Sequence, residues 1–415
     1  MSTSARPTAH GISIGQSRLG ASGVTGASSV TGASGATGAS AQAKQRAAEL
    51  VQSQSDLLVD ISHQIWETPE LAFQERHAHD LLCKTLHENG LDAQAHAYGL
   101  ETAFVASAGT EGPEIAVLCE YDALPGIGHA CGHNVIAAAG LGAGLAAASL
   151  AAELGGRVRI LGTPAEEGGG GKVFMLRQGA FDGVDAAMMV HPADHDLPTL
   201  TTLAVHTLHV HYSGVASHAA AAPHLGRNAL DAAVLGYVNV AALRQHIRSD
   251  ERVHGVFPSA GEQPNIVPST ASAHWYVRAS TTERLEELKE RVVNCLAAGA
   301  LAAGCVMDLN WVDPAYSEMS DNDQLLSRYQ RNAEFLGRPF EDPEVVGYVT
   351  GSTDMGNLSQ VMPTIHPLIA VAPPGVSIHT PEFAAYARSE AGDRAVLDGA
   401  TSLAATIIDC WLDPL

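Results

Sequence analysis

The chain has 415 residues and a formal net charge of −22, with 46% hydrophobic and 16% charged residues. That length is too great for one ordinary domain, so two are expected. The negative charge argues against binding to nucleic acid or to an anionic membrane. No run of about 18 apolar residues is free of charge and glycine, so no membrane span is expected.

The first part of the chain and the cysteines indicate where the protein folds and resides. Residues 20–40 repeat Gly, Ala, Ser and Thr, which offer little to bury, so residues 1–42 are predicted to form a disordered leader. Folding is expected to begin near Ala43. The six cysteines are scattered and form no C-x-x-C pair, which favours a reducing, cytoplasmic location over a disulfide scaffold.

From residue 42 onwards, helical and strand patterns alternate. Helical spacing covers residues 42–67 and 76–90, and "EIAVLC" (114–119) has the composition of a buried strand. An Ala-rich helix follows over 134–155, and "RVRILG" (157–162) and "DAAMMV" (185–190) are two more strands. The alternation predicts an α/β fold with a mostly parallel sheet flanked by helices.

Acidic residues and a histidine follow these strands. Glu120 and Asp122 come after the first strand, Glu166 and Glu167 after the second, and His191 after the third. In open α/β sheets, ligands bind at the carboxyl ends of the strands. These side chains are therefore expected to converge at one edge of the sheet.

The loop after the first strand, "GHACGHN", places Cys131 between His129 and His133. It could be a metal site, a thiol nucleophile activated by a histidine, or a chance cluster. A metal site is favoured because the adjacent pair Glu166 and Glu167 can divide the roles of free base and ligand. Nitrogen, sulfur and carboxylate ligands together suit a divalent ion, zinc or manganese.

Motifs along the chain resemble a known family. The stretches are "EYDALPGIGHACGHN", "TPAEEGGGGK", "VHP", "SHAAAAPHLGRNALDA", "PNIVP", "GSTDMGN" and "IHTPEF". They resemble the zinc-dependent aminoacylase and carboxypeptidase G superfamily, in the branch of p-aminobenzoyl-glutamate hydrolases, aminoacyl-dipeptidases and auxin-conjugate amidohydrolases. The resemblance covers residue 56 to the C-terminus. It implies a catalytic domain that binds two metals and an inserted lid through which two chains dimerise.

The resemblance also implies roles for single residues. The metal ligands would be Cys131 as the bridge, His133, Glu167, His191 and His379. Glu166 would be the general base and acid, and Asp122 would orient the site. The sequence departs from the family pattern at two positions, which leaves open whether each subunit binds one metal ion or two. Asn134 stands where auxin-conjugate hydrolases usually have Asp, and Glu120 stands where more distant relatives have a histidine ligand.

The lid can be predicted from pattern alone. Residues 204–314 have strand and helix patterns in the order β-α-β-β-α-β, which is an α+β, ferredoxin-like unit. The catalytic domain would then consist of residues 43–203 and 315–415. The resemblance assigns the substrate carboxylate to Asn265 and Arg278 on the lid. It assigns to His218 the role of hydrogen-bond donor to the oxyanion in the partner's active site.

These expectations together describe a metallohydrolase that cleaves an amide C–N bond of a small, carboxylate-bearing substrate. N-acyl amino acids, aminobenzoyl-glutamate and dipeptides are the favoured substrates. Two alternatives stay open: hydrolytic deamination of an amino-aromatic acid, and a non-catalytic binding subunit that keeps the fold. Retention of Glu166 beside the ligands argues against the second, because a binding protein has no use for a free base.

Overall fold

The computed structural model describes residues 33–346 and 350–415. The helices are α1 (Ala33–Ser53), α2 (Ser55–Glu67), α3 (Arg76–Glu88), α4 (His133–Leu154), α5 (Gly171–Arg177), α6 (Ala229–Leu243), α7 (Thr282–Ala303), α8 (Asp323–Phe335), α9 (Pro343–Val346), α10 (Met355–Ser359), α11 (Pro381–Tyr386) and α12 (Glu390–Leu412). The strands are β1 (Gln94–Ala95), β2 (Phe104–Ala108), β3 (Glu114–Glu120), β4 (Arg157–Thr163), β5 (Ala186–Met188), β6 (His191–Ala193), β7 (Thr201–Thr202), β8 (Ala204–Ser213), β9 (Arg252–Ser259), β10 (Thr270–Ala279), β11 (Val306–Tyr316), β12 (Thr350–Gly351), β13 (Thr364–Ile365) and β14 (Leu368–Ala370).

The first helix differs from the sequence prediction. Residues 1–32 of the predicted leader lie outside the described residues, but α1 begins at Ala33, ten residues before Ala43. Alanine has the highest helix propensity, and the alanines of this segment extend the helix into the Gly- and Ser-containing repeat. The single helix predicted over 42–67 is divided at Gln54 into α1 and α2.

A six-stranded sheet organises the catalytic part of the chain. Its order is β1-β2-β4-β3-β5-β13, and the pairs β4–β3, β3–β5 and β5–β13 are parallel. Every residue of β3 is buried. Alternate side chains of β3 enter two cores: Val117 joins the core with α2, α4 and α12, and Leu118 joins the core with α5 and α10. The mostly parallel sheet flanked by helices is confirmed.

Within residues 33–346 and 350–415, two helices are long and apolar enough to cross a membrane by length and composition. They are α4 and α12, whose most apolar windows are 83% and 72% buried inside the protein. Both belong to the core beside β3. Their hydrophobicity is therefore accounted for by packing within the fold.

The second sheet carries the lid. Its antiparallel order is β11-β8-β10-β9, and α6 and α7 contribute to a separate hydrophobic core that includes Leu208, Trp275 and Leu296. The chain order β8-α6-β9-β10-α7-β11 with this strand order is the split βαβ arrangement. The inserted α+β, ferredoxin-like lid is confirmed.

The third strand predicted for the catalytic sheet is shorter than expected. β5 ends at Met188, and His191 opens a separate strand, β6, which pairs in parallel with β14. His191 is thus supported by a strand from the C-terminal part of the chain. Local composition could not indicate this change of partner.

Candidate active site

The loop between β3 and α4 has a conformation that requires glycine. Gly132 has φ 78°, and a Cβ atom there would lie 2.7 Å from side-chain atoms of Pro192. A larger residue would be strained and would clash with the segment that carries His191. Gly132 therefore lets Cys131 and His133 approach His191.

Cys131 lies at the centre of one group of potential ligands. Its Sγ atom is 3.4 Å from Nε2 of His191 and 3.4 Å from Nε2 of His379. Nε2 of His379 is also 3.4 Å from Oε1 of Glu167. Residues separated by up to 248 positions in the sequence thus converge around one sulfur atom.

His133 lies at the centre of the neighbouring group. Its Nδ1 is 3.2 Å from Oδ1 of Asp122, and its Nε2 is 3.1 Å from Oε1 of Glu120 and 3.8 Å from Oε1 of Glu167. A hydrogen bond from Nδ1–H to Asp122 leaves Nε2 as the ligand atom. The Nδ1 atom of His191, 2.8 Å from the carbonyl of Pro192, is oriented in the same way.

The donor atoms fit a divalent metal. In the part of the chain that the structure describes, three groups have donor atoms within 4.8 Å of one another: Cys131, His133 and His191; Cys131, Glu167 and His379; and Glu120, His133 and Glu166. Nε2 of His133 and Oε1 of Glu120 lie 3.1 Å apart, and Oε1 of Glu167 lies 3.4 Å from His379, but none of these three buried atoms has a neighbour in hydrogen-bonding geometry. Buried polar atoms without a partner are costly, and a bound cation would satisfy all three.

The environment of Cys131 does not favour a thiol nucleophile. Burial and then the charge of Glu167 raise the pKa of the Cys131 thiol well above its ordinary value. A reactive cysteine instead needs a lowered pKa and partial exposure. His129, the other histidine of the loop, is buried and bonds the carbonyl of Ile65, 3.0 Å away, so it takes no part in the group.

Glu166 is buried but is not held by any hydrogen bond to its carboxylate among the described contacts. Burial, and then the charges of Glu120 and Glu167, raise the pKa of Glu166 well above its ordinary value. The preceding residue, Ala165, has φ 61°, and its N–H donates to the carboxylate of Glu75 over 2.9 Å. This strained turn directs Glu166 into the site. A carboxyl with a raised pKa can both accept and return a proton near neutral pH.

Sequence reasoning missed a buried ion-pair network beside this group. The ammonium of Lys172, fully buried, donates to the carboxylate of Glu120 and, over 2.7 Å, to that of Asp354. Lys172 lies in the motif "TPAEEGGGGK" and Asp354 in the motif "GSTDMGN". A charged residue beside glycines in each motif is the sequence feature that could have indicated them. Lys172 thus offsets the negative charge that collects around Glu120.

A second missed residue is His366, directly after β13. Its ring is buried, neither nitrogen has a hydrogen-bond partner, and it meets the ring of His191 edge-on with centroids 5.3 Å apart. Burial lowers its pKa well below the ordinary value, so the ring is neutral. It packs against His191 as an uncharged side chain.

The predicted lid residues are not brought together in one chain. The guanidinium of Arg278 donates to Ser352 Oγ over 2.9 Å, at the junction with the catalytic part. His218 and Asn265 lie beside each other at the other end of the lid, where Ala219 N–H donates to the carbonyl of Asn265. The eight steps along β10 from Thr270 to Arg278 separate these ends by about 26 Å, at about 3.3 Å per residue.

His218 is exposed and has a defined tautomer. The N–H groups of Ala220 and Ala221 donate to its Nδ1 atom over 3.2 and 3.1 Å. Nδ1 is therefore an acceptor, and Nε2 carries the hydrogen of the neutral ring. The turn presents an N–H donor to solvent.

Known proteins resemble this chain in sequence over most of its length. A sequence profile described as peptidase family M20/M25/M40 matches residues 116–408. Xaa-Arg dipeptidases of Mus musculus and Homo sapiens are 41% and 38% identical, each match covering 89% of this chain and 89% of the relative. One of the p-aminobenzoyl-glutamate hydrolase subunits of Escherichia coli (strain K12) is 28% identical over 88% of this chain and 91% of its own length.

Solved structures share the fold. An aminohydrolase from methicillin-resistant Staphylococcus aureus has a TM-score of 0.72 at 18% identity, covering 88% of this chain and 99% of its own. A dinuclear metal-binding peptidase of the M20 family from Bacillus subtilis has a TM-score of 0.69 at 20% identity, with the same coverage. At these identities the similarity establishes the architecture of catalytic part and lid.

The fold, the ligand groups and the relatives together define a metal-dependent hydrolase that acts on carbon–nitrogen bonds. The chain belongs to peptidase family M20/M25/M40. The resemblance stated from the sequence motifs, to the branch with p-aminobenzoyl-glutamate hydrolases, aminoacyl-dipeptidases and auxin-conjugate hydrolases, is confirmed by relatives of all three kinds.

The position of Cys131 predicts the outcome of replacing it. Cys131→Asp is expected to keep part of the metal content and activity, because a carboxylate can also coordinate between His191 and His379. Cys131→Ala, the control, should lose both. Metal analysis and turnover before and after chelator treatment measure the effect. An enzyme insensitive to chelator but inactivated by a thiol alkylating agent would identify Cys131 as a nucleophile instead.

Proposed function

We propose that this enzyme hydrolyses the amide bond of dipeptides and related N-acyl amino acids with two divalent metal ions, zinc or manganese. The observation that carries the proposal is the convergence of a five-residue ligand set beside a buried carboxyl that forms no ion pair in the described part of the chain. The proposed ligands are Cys131, His133, Glu167, His191 and His379. The metal ions would supply an activated water and polarise the amide carbonyl.

The side chains around this centre have separate proposed roles. Glu166 accepts a proton from the attacking water and returns it to the leaving nitrogen, for which its raised pKa is suited. Asp122 orients His133 through Nδ1. Its other oxygen accepts the N–H of Glu167 over 2.9 Å, so one carboxylate positions two of the proposed ligands.

The substrate carboxylate is proposed to bind Arg278. Its guanidinium is half-buried and contacts Ser352 and the ring of Tyr276, and no carboxylate pairs with it among the described residues. An arginine can hold a carboxylate with two parallel hydrogen bonds. The two Xaa-Arg dipeptidases among the relatives make dipeptides with a C-terminal basic residue the first substrates to try. Aminobenzoyl-glutamate is the second.

We also propose a homodimer formed through the lid. His218 and Asn265 lie at the lid end remote from their own catalytic part, so they would complete the site of a partner. Exposed apolar side chains on α6 and the edge strand β9 offer an interface; they include Leu235, Val238 and Val256. An unpaired edge strand with exposed apolar residues is a ready surface for association with another chain.

A cytoplasmic location is part of the proposal. All six cysteines are free thiols, which fits a reducing compartment. The domain boundaries 43–203, 204–314 and 315–415 also remain a proposal; the lid sheet itself runs from Ala204 to Tyr316.

A substrate screen tests the proposed activity. Purified enzyme is assayed for amine release from Xaa-Arg and Xaa-Lys dipeptides, N-acyl amino acids and aminobenzoyl-glutamate, with metal content measured in parallel. Glu166→Gln is expected to keep the metal and lose at least about 10²-fold in turnover, because the general base is removed. Near-normal turnover would assign the base elsewhere. A metal-loaded enzyme that cleaves no amide would turn attention to deamination of amino-aromatic acids, and absence of any turnover would favour a binding protein without catalysis.

Arg278→Ala should raise KM for a carboxylate-bearing substrate more than it lowers kcat. The lost charge-assisted contact is worth about 1.5–3 kcal/mol, which corresponds to at least about a tenfold rise. Arg291→Ala, an exposed arginine on α7, is the matched control and should change neither constant. An unchanged KM in Arg278→Ala would place the carboxylate elsewhere.

Mixing two inactive variants tests the role of His218 across the dimer. His218→Ala alone should lower kcat by about 10²–10³-fold, as expected for loss of one oxyanion donor, with metal content retained. After subunit exchange with Glu166→Gln, activity should reappear, because one site of each mixed dimer then has both residues. His224→Ala, in the same loop, is the control and should stay active. A mixture as inactive as its parts, with exchange shown by co-purification of differently tagged chains, would place His218 in its own chain's site.

A further inference from the structure

The lid sheet has one face covered by α6 and α7 and one open face. On β8, Leu208, Val210 and Tyr212 point into the lid core. Because successive side chains of a strand alternate, His209 and His211 lie on the open face. His274 of β10 lies on the same face, since its neighbours Ala273 and Trp275 are buried in the core.

Strand register brings these histidines together. His274 is the direct partner of His209, and the two rings stack with centroids 3.8 Å apart and planes 18° apart. On the other side of β8, Asp308 of β11 is the direct partner of His211. Directly opposed residues have Cβ atoms about 4.5–5.5 Å apart. Three imidazoles and a carboxylate therefore occupy adjacent positions on three hydrogen-bonded strands.

These four side chains are not held by polar contacts to other described residues. None of them forms a hydrogen bond or an ion pair there, whereas Arg278 on the same strand face is bonded to Ser352. His211, His274 and Asp308 are exposed, and His209 is half-buried.

We propose that His209, His211 and His274, with Asp308, form a second site for a zinc-type transition-metal ion on the open face of the lid, separate from the catalytic centre. Imidazole nitrogens with one carboxylate suit Zn²⁺, Cu²⁺ or Ni²⁺ and suit Mg²⁺ or Ca²⁺ poorly. Strand pairing fixes the backbones, and the donor atoms of these residues are not gathered within 4.8 Å as those of the catalytic groups are, so the site requires the imidazoles to unstack and rotate toward the ion. Such an ion would link β8, β10 and β11 and stabilise the lid.

The test is a zinc titration of the holoenzyme, already loaded at the catalytic centre and freed of loosely bound metal. Wild type is expected to take up one further equivalent per chain, with a higher melting temperature. The double variant His209→Ala/His274→Ala should lose that equivalent and the rise in melting temperature. Thr207→Ala/Ser272→Ala, on the same strand face, is the control and should behave as wild type. Copper added in place of zinc should give an electron paramagnetic resonance signal with nitrogen coupling, absent from the histidine variant.

Two results would overturn the proposal: no further equivalent in wild type, or the same uptake in the double variant as in wild type. If removing the stacked pair unfolds the lid, His211→Asn/Asp308→Asn provides the same test at two exposed positions. Turnover of the peptide substrate should be equal in wild type and both variants without added zinc. The result is therefore independent of whether the proposed substrate class is correct.

Discussion

Compensation of buried negative charge is the constraint on which the site depends. The buried carboxylates of Glu120, Asp122, Glu166 and Asp354, and the partly buried one of Glu167, collect at the carboxyl ends of β3 and β4 and in the segment before α10. An unpaired charge in the interior is far more costly than a lost hydrogen bond. Among the described residues, the ammonium of Lys172 reaches this group and bonds Glu120 and Asp354. The remaining buried donors, with Cys131 and the histidines, are arranged as a cation requires.

The fold concentrates these donors because parallel strands end at one edge. β3 and β4 deliver carboxylates there, while β6 delivers His191 from a separate two-stranded ladder. Local backbone strain completes the convergence. Ala165 precedes the two glutamates with φ 61°, and His379 itself has φ 63°, conformations that ordinary residues adopt only when the surrounding structure holds them.

The proposed functions of the lid lie at its two ends and on its open face. Arg278 lies at the end joined to the catalytic part, and His218 and Asn265 lie at the other. His209 and His274 stack on the open face between these two ends, so an ion bound there would act on the rigidity of the lid and not on the reaction.

The sequence by itself determined the classes of structure and most of the donor set. Period and composition predicted β3, β4, α4 and the order of lid elements, and polar residues after strands indicated Cys131, His133 and the glutamate pair. Only the tertiary structure decided which side chains meet. Lys172 pairs with Asp354, 182 positions away in the sequence, and strand register stacks His209 on His274. It also decided that β5 ends early, that α1 begins at Ala33 and that His366 packs on His191. The physical reason is that periodicity records which face of an element is buried, whereas contacts between elements depend on which strands and helices become neighbours.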